Sequence, residues 1–176
     1  MLQMKFKPRF IEAFASGQKT TTLRMMDFRC FQSDHDSDKF FHRDTLSEDI
    51  TIPDYSAGAT LIFDKGTVFT RVSNLAGLLE RQPYRPGDEI ELITEIEGGE
   101  KMPFATATIA DVSVIRGKEV GSIDAINDGF NPDRDPLTEL HAFMRDVYHI
   151  TDPDKAMYWR YVFTSVQMFP QWGGEA

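Results

Sequence analysis

The chain has 176 residues and a formal net charge of −9 at neutral pH, with 41% hydrophobic and 27% charged side chains. That length and composition suit one compact domain and exclude a broadly disordered chain. A single cysteine, Cys30, excludes an internal disulfide and a zinc site built from several cysteines. No apolar run approaches the roughly 20 residues that span a bilayer, and the charged start has no apolar signal segment. We therefore expect a soluble, cytoplasmic protein that does not associate with membranes.

The predicted elements of the first half are short strands and short helices. In chain order they are a strand over 4–6, a helix from Pro8 to Gly17, an extended segment over 19–23, a hairpin of strands 59–63 and 67–72, and a helix over 74–81. Residues 25–50 show no clean period, and we expect them to be irregular. This half therefore contains a long stretch, between the extended segment and the hairpin, for which the sequence predicts no regular element.

The second half is more regular. Its predicted elements, in chain order, are a turn at 84–88, a strand over 89–94, a turn at 97–100, a long strand over 104–115, a short helix around Ile123 that ends at Gly129, a helix that begins at Asp135-Pro136, and a last strand over 157–166. Strands and helices do not alternate as in a doubly wound sheet. The sequence therefore predicts an α+β fold with mostly antiparallel strands.

Positive charge concentrates at the start of the chain. Residues 1–29 carry six basic and two acidic side chains, a net charge of +4, so the remaining 147 residues carry −13. The stretch 34–54 is the most acidic, with seven carboxylates against two basic side chains. Such an asymmetry is typical of a basic binding face on an acidic body, and equally of ordinary solvated surface. An overall acidic chain can therefore still offer a small site for a phosphate-bearing ligand.

Three motifs stand in one order along the chain. A Gly-Gln-Lys-Thr-Thr-Thr-Leu-Arg segment over 17–24 follows the first helix, a Pro-Gly-Asp turn lies at 86–88, and Asp-Gly-Phe at 128–130 precedes the last helix. Together they resemble the ASCH family, which has a PUA-like fold. The resemblance implies a mixed or antiparallel β-barrel with two or three flanking helices. It also implies that residues 1–176 form a single domain in which residues 25–83 are an insertion with an acidic loop and the hairpin.

The same resemblance implies a site. Some ASCH proteins are amidohydrolases that remove the acetyl group from N4-acetylcytidine with a lysine, a threonine and a glutamate. Lys19 and Thr22 match the first two, and an aspartate takes the third place, either Asp128 or, in another alignment, Asp133. A lysine whose pKa is lowered by burial or by a neighbouring cation such as Arg24 can accept a proton from a threonine hydroxyl.

The resemblance also supports binding without catalysis. RNA or a modified nucleoside would then contact a basic group made of Lys5, Lys7, Arg9, Lys19 and Arg24, because arginine and lysine suit phosphate and base edges. Two further functions stay open at this point. One is cleavage of single-stranded RNA, as a few ASCH proteins do, and the other is a protein-interaction module that offers the acidic insertion to a basic partner.

Two histidines lie in the acidic stretch and raise the question of a metal. His35 and His42 have neither an HxxxH nor an HExxH spacing. Acidic loops with isolated histidines are commonly solvated surface. We expect no metal and no cofactor.

Overall fold

A computed structural model of the chain describes residues 1–26, 30–33, 36–43, 61–62 and 68–172. The chain divides into two compact units, one of residues 1–24 and 84–176 and the other of residues 25–83. The second unit has the bounds of the segment interpreted above as an insertion. That interpretation stays a prediction.

Most helices and strands of the described residues are short. They are β1 (Leu2–Lys5), a 3-10 helix (Pro8–Phe10), α1 (Ile11–Ala15), β2 (Thr21–Met25), β3 (Cys30–Gln32), β4 (Phe40–Arg43), β5 (Leu61–Ile62), β6 (Val68–Ser73), α2 (Leu75–Arg81), β7 (Glu89–Glu95), β8 (Lys101–Arg116), α3 (Ser122–Asn127), α4 (Pro136–Tyr148) and β9 (Met157–Met168). Further 3-10 turns lie at Gly117–Glu119, Pro153–Lys155 and Pro170–Trp172. Within the described residues, none of the helices is long and apolar enough to cross a membrane.

The first unit is built on a mixed five-stranded sheet in the order β1-β7-β8-β9-β2. β1 runs parallel to β7, whereas β7 with β8 and β8 with β9 are antiparallel. The sheet curls into a half-barrel, so the α+β class is confirmed and the expected mixed or antiparallel barrel is present only as a partial, open one. The barrel stays open because β1 and β2 are opposite edges of the sheet rather than neighbours.

Side chains occupy the outer edge of β1 in place of another strand. The hydroxyl of Tyr84 donates to the carbonyl of Gln3 at 2.7 Å, and the guanidinium of Arg24 on β2 donates to the carbonyl of Lys5. A strand edge otherwise exposes unpaired backbone groups that can pair with another chain. Both side chains therefore satisfy carbonyls of this edge, and Arg24 also links β2 to β1, the two edge strands of the half-barrel.

Phenylalanines form the core between α1 and the sheet. The ring of Phe6 lies 4.9 Å from that of Phe14 on α1, 6.4 Å from that of Phe104 on β8 and 6.1 Å from that of Phe163 on β9, in edge-to-face contacts. All four are buried. Such contacts favour one arrangement of the rings and fix α1 against the sheet.

The start of α4 and the end of α3 lie where the sequence predicts. The carboxylate of Asp135 accepts a hydrogen bond from the N–H of Thr138 at 3.4 Å, and Pro136 takes the first position of α4. The chain leaves α3 through Gly129, whose φ of +102° lies in the left-handed region that glycine tolerates. This exit places Asp128 and Phe130 on the side of the unit where the first helix begins.

The second unit has its own four-stranded sheet in the order β3-β4-β6-β5, followed by α2. Pairing of Leu61 with Phe69 and of Ile62 with Val68 makes β5 and β6 antiparallel, as the hairpin prediction requires. Its turn at 64–66, His35 and most of the acidic stretch lie outside the described residues. The prediction that 25–50 is irregular is wrong for β3 and β4, because cross-strand pairing defines these short strands and no local period marks them.

Candidate functional site

The segment over 17–20 is fixed by hydrogen bonds on both sides. Gly17, with φ of +79°, ends the first helix, and the N–H of Lys19 donates back to the carbonyl of Ala13 at 2.9 Å. On the other side, Nε2 of Gln18 donates to the carbonyls of Ile126 at 3.0 Å and Phe130 at 2.9 Å. The segment is therefore held between α1 and the turn that follows α3, and this placement directs Lys19 towards Asp128.

Lys19 and Asp128 form a buried ion pair. Their side chains are 1% and 5% exposed, and Nζ of Lys19 contacts Oδ1 of Asp128. The amine also donates to the carbonyl of Asp128 at 2.7 Å and to that of Thr21 at 2.9 Å, while Oδ2 of Asp128 accepts from the N–H of Leu23 at 3.3 Å. The pair therefore satisfies backbone groups on the outer edge of β2.

Aromatic rings surround the amine. Nζ of Lys19 lies 5.3 Å from the ring centroid of Phe6, 4.8 Å from that of Phe10 and 5.5 Å from that of Phe14. Each ring is within the distance at which its negative face attracts a cation. The rings also keep water from the pair, so its electrostatic interactions act in a medium of low dielectric constant.

Burial shifts both members of the pair towards their neutral forms. It lowers the pKa of the Lys19 amine below the ordinary value of 10.5, against the opposing effect of Asp128, and the charge of Arg24 adds to the lowering. Burial likewise raises the pKa of Asp128 above its ordinary 3.8, against the effect of Lys19 and of the Leu23 N–H. Groups shifted by desolvation and a specific partner are candidates for acid–base work.

Thr22 and Arg24 lie two positions apart on β2 and therefore share one face of that strand. Thr22 is buried, and Arg24 is half-buried with its guanidinium carbon 4.8 Å from the ring centroid of Phe6. Within the described part of the chain, the one hydrogen bond of this guanidinium goes to the carbonyl of Lys5. Most of its N–H groups are therefore available to a ligand.

Two tyrosines adjoin Arg24. The ring of Tyr84 contacts the ring of Tyr161 edge-to-face at 5.3 Å between centroids. Burial raises the pKa of Tyr161 to about 12 and also raises that of Tyr84, and in both cases the charge of Arg24 acts in the opposite direction. Both hydroxyls are therefore neutral donors at physiological pH. The sequence marked Tyr84 only as the start of a turn, and no local signal tied it to Arg24.

The structure separates the two aspartates that the sequence left open. Asp128 contacts Lys19, whereas Asp133 is exposed in the following loop, where its N–H donates to Oδ1 of Asn131 at 2.9 Å. Asp128 is therefore the acidic partner of Lys19. The sequence analysis did not identify Gln18 as a residue that positions Lys19. The two carbonyls that its side chain contacts belong to a distant segment, and no local pattern predicts such contacts.

The other basic residues are not gathered around Lys19. Lys5 is half-exposed and forms an ion pair with Glu95, and Lys7 is exposed. Arg9 is also exposed and lies over a group of phenylalanine rings. The predicted basic group thus consists of a buried residue, Lys19, a paired one, Lys5, two exposed ones, Lys7 and Arg9, and the half-buried Arg24.

No group of three potential ligand side chains among the described residues is arranged to hold a metal ion.

Comparison with known proteins gives a likeness of fold. No protein-family model and no curated protein matches the chain. The structure is similar to the crystal structure of protein EF3133 from Enterococcus faecalis V583, described under the DUF984 family model, with a TM-score of 0.51 and 14% identity. The match covers 97% of this chain and 78% of that one. At this identity the likeness supports the fold alone, and membership of the ASCH family stays a prediction.

We expect Gly129→Ala to destabilise the protein more than Gly98→Ala does. Both glycines have positive φ, +102° and +92°, which costs another residue about 1–3 kcal/mol. A β-carbon at 129 would in addition lie 3.1–3.3 Å from Phe10, Ala13 and Lys19, whereas one at 98 would meet nothing within 4 Å. Urea unfolding measures the free energies, and equal losses in the two variants would contradict the close packing around Lys19.

We expect the stability of Asp128→Asn to rise with pH over a wide range below 10.5. Without the carboxylate, burial lowers the pKa of Lys19 further, so the unfolded chain binds a proton that the folded chain does not, and alkali then favours folding. Each pH unit in that window adds up to about 1.4 kcal/mol. The free energy of unfolding at pH 6 to 10 is compared with that of Lys19→Met/Asp128→Asn, which lacks both titrating groups. Parallel profiles for the two variants would refute the prediction.

Proposed function

We propose that this protein binds RNA or a modified nucleoside beside Lys19, Thr22 and Arg24, and that it hydrolyses the amide of an N4-acetylcytidine-type substrate. The observation that carries the proposal is the buried contact between Lys19 and Asp128 next to Thr22. These residues hold the places that the ASCH resemblance assigns to the catalytic set. On this view residues 25–83 are an insertion into an ASCH domain.

The chemistry requires Lys19 as a base. Burial lowers the pKa of Lys19 and raises that of Asp128, which favours transfer of a proton from the ammonium to the carboxylate. The neutral amine that remains accepts the proton of the Thr22 hydroxyl as the threonine oxygen attacks the acetyl carbon. The C–N bond then breaks, the proton passes from Lys19 to the leaving N4 nitrogen, and water hydrolyses the acetyl-threonine to acetate. The aspartate orients the amine through the contact between Oδ1 and Nζ.

The hydrogen bonds that the Lys19 amine already makes set one condition on this reaction. The hydrogen bonds of the Lys19 amine go to Thr21 and Asp128. Transfer from Thr22 therefore requires the amine and the hydroxyl to turn towards each other when the substrate binds. Thr22 directly follows the residue whose carbonyl the amine contacts, so the required movement is local to these two side chains.

Arg24 supplies the binding part of the proposal. Its guanidinium is half-buried, stacks on Phe6 and donates to the carbonyl of Lys5. A guanidinium fixed in this way presents a planar fork of donors to a base edge or a phosphate.

We expect the wild type to deacetylate N4-acetylcytidine, with loss of turnover by at least about a hundredfold in Thr22→Val. Thr22→Ser keeps the hydroxyl and should retain measurable activity. Acetate release measures turnover, and circular dichroism confirms that each variant folds. Lys118→Ala removes an exposed charge from another part of the unit and is the matched control.

The outcomes are separable. No turnover by the wild type would remove the hydrolase, and equal rates for Thr22→Val and the wild type would remove Thr22 as the nucleophile. Binding is measured independently by the fluorescence anisotropy of a short single-stranded oligoribonucleotide, where phosphate contacts make the affinity fall with salt. An absence of both turnover and binding would overturn the proposed function.

A further inference from the structure

Arg9 is an exposed residue that is nevertheless held in place. Its guanidinium carbon lies 5.3 Å from the ring centroid of Phe10, 5.1 Å from that of Phe130 and 5.9 Å from that of Phe143. The three rings contact one another at centroid distances of 5.4 to 5.7 Å. They come from the first 3-10 helix, the Asp-Gly-Phe turn and α4, so Arg9 rests on a platform made by three separate segments.

This platform holds the guanidinium without engaging its donors. An attraction to ring faces uses the positive charge and leaves the five N–H groups free. Within the described part of the chain, no carboxylate pairs with Arg9 and its side chain donates no hydrogen bond. Other basic side chains of the unit differ, since Lys5 pairs with Glu95 and Arg160 lies 3.5 Å from Asp124.

The platform adjoins the proposed site. Arg9 and Lys19 contact the same ring, with Nζ of Lys19 4.8 Å and the guanidinium carbon of Arg9 5.3 Å from the centroid of Phe10. The two cations are therefore separated by no more than the sum of those distances. Phe130, the second ring of the platform, follows Asp128 by two residues. A single nucleotide can bridge such a distance between its base and its phosphate.

We propose that Arg9 binds a phosphate group of the nucleic acid whose base occupies the site at Lys19, so that the ligand is a nucleotide or an RNA strand rather than a free nucleoside. This inference rests on the proposed function. A planar guanidinium pairs with two phosphate oxygens at once, and its fixed position reduces the entropy that binding would otherwise cost. Lys7, exposed two residues earlier, adds positive charge to the same segment.

The test compares three ligands that share the acetylated base and carry no phosphate, one phosphate or a phosphodiester backbone. They are N4-acetylcytidine, its 5′-monophosphate, and a short single-stranded oligoribonucleotide with one such base. We expect Arg9→Ala to weaken binding of the oligonucleotide by about tenfold more than binding of the nucleoside, as one charge-assisted contact implies. The slope of log affinity against log salt for the oligonucleotide should fall by about 1.

Two further variants separate charge from geometry. Arg9→Lys keeps the charge but not the planar fork, so we expect an affinity between those of the wild type and Arg9→Ala. Lys118→Ala, the matched charge control, should leave the salt slope as it is in the wild type. The 5′-monophosphate distinguishes the sources of phosphate, because a loss for it equal to that for the oligonucleotide assigns Arg9 to the nucleotide's own phosphate. A loss confined to the oligonucleotide assigns Arg9 to the phosphate of a neighbouring residue of the strand.

Failure of this inference differs from failure of the proposed function. If the wild type binds or hydrolyses these ligands and Arg9→Ala affects all three equally, the phosphate role of Arg9 is overturned and the proposed function stands. If the wild type binds none of them, both are overturned.

Discussion

The contact between Lys19 and Asp128 is the constraint on which the first unit depends. Two ionisable groups lie almost fully out of water, and their burial is tolerated only because each has a charged partner and backbone groups to bond. The two residues are 109 positions apart, so α1, the turn at Gly17, the exit from α3 and the edge of β2 must all be placed correctly for the pair to form. An ion pair of this kind selects one arrangement of these segments, because any other would leave a buried charge without a partner. The same requirement explains why Gly129 follows Asp128, since a β-carbon there would meet the side chain of Lys19.

The half-barrel and the candidate site have the same origin. An open sheet needs something to satisfy its edges, and here side chains do so. Arg24 and Tyr84 take the carbonyls of β1, and the pair of Lys19 with Asp128 takes an N–H and a carbonyl of β2. Polar side chains thus converge at the opening between the two edge strands. The side chains that satisfy the two edge strands also carry hydrogen-bond donors at the gap between them. The proposed ligand site lies at this gap for that reason.

Local sequence signals predicted most helices and strands. Contacts between segments that are distant in the sequence determine the partner of Lys19 and the open form of the sheet, and these could not be predicted. Asp135 and Pro136 marked the start of α4, and Gly17 marked the end of the first helix, because capping depends on residues within one turn. The choice between Asp128 and Asp133 could not be made in this way, since the two lie five positions apart and only the contact with Lys19, 109 positions from Asp128, separates them. The sequence could not show for a similar reason that the expected barrel is open. Between β1 and β2 the side chain of Arg24 bonds the carbonyl of Lys5, and the two strands do not pair with each other. No local sequence signal predicts this contact between distant segments.

The distribution of charge along the chain limits the size of the nucleic-acid ligand that the proposed site could bind. The first 29 residues carry a net charge of +4, but two of their five described cations are paired with carboxylates. Lys19 is paired with Asp128 and Lys5 with Glu95, whereas the half-buried Arg24 donates to a carbonyl and keeps its other donors for a ligand. Arg9 and Lys7 are then the exposed cations that this segment offers to a phosphate. With a body that carries −13 elsewhere, two such contacts cannot support an extended, sequence-independent interaction along a duplex. They are sufficient for the one nucleotide and its neighbour that the proposed function requires, so the acidic total is compatible with the proposed recognition of a single base in a short unpaired strand.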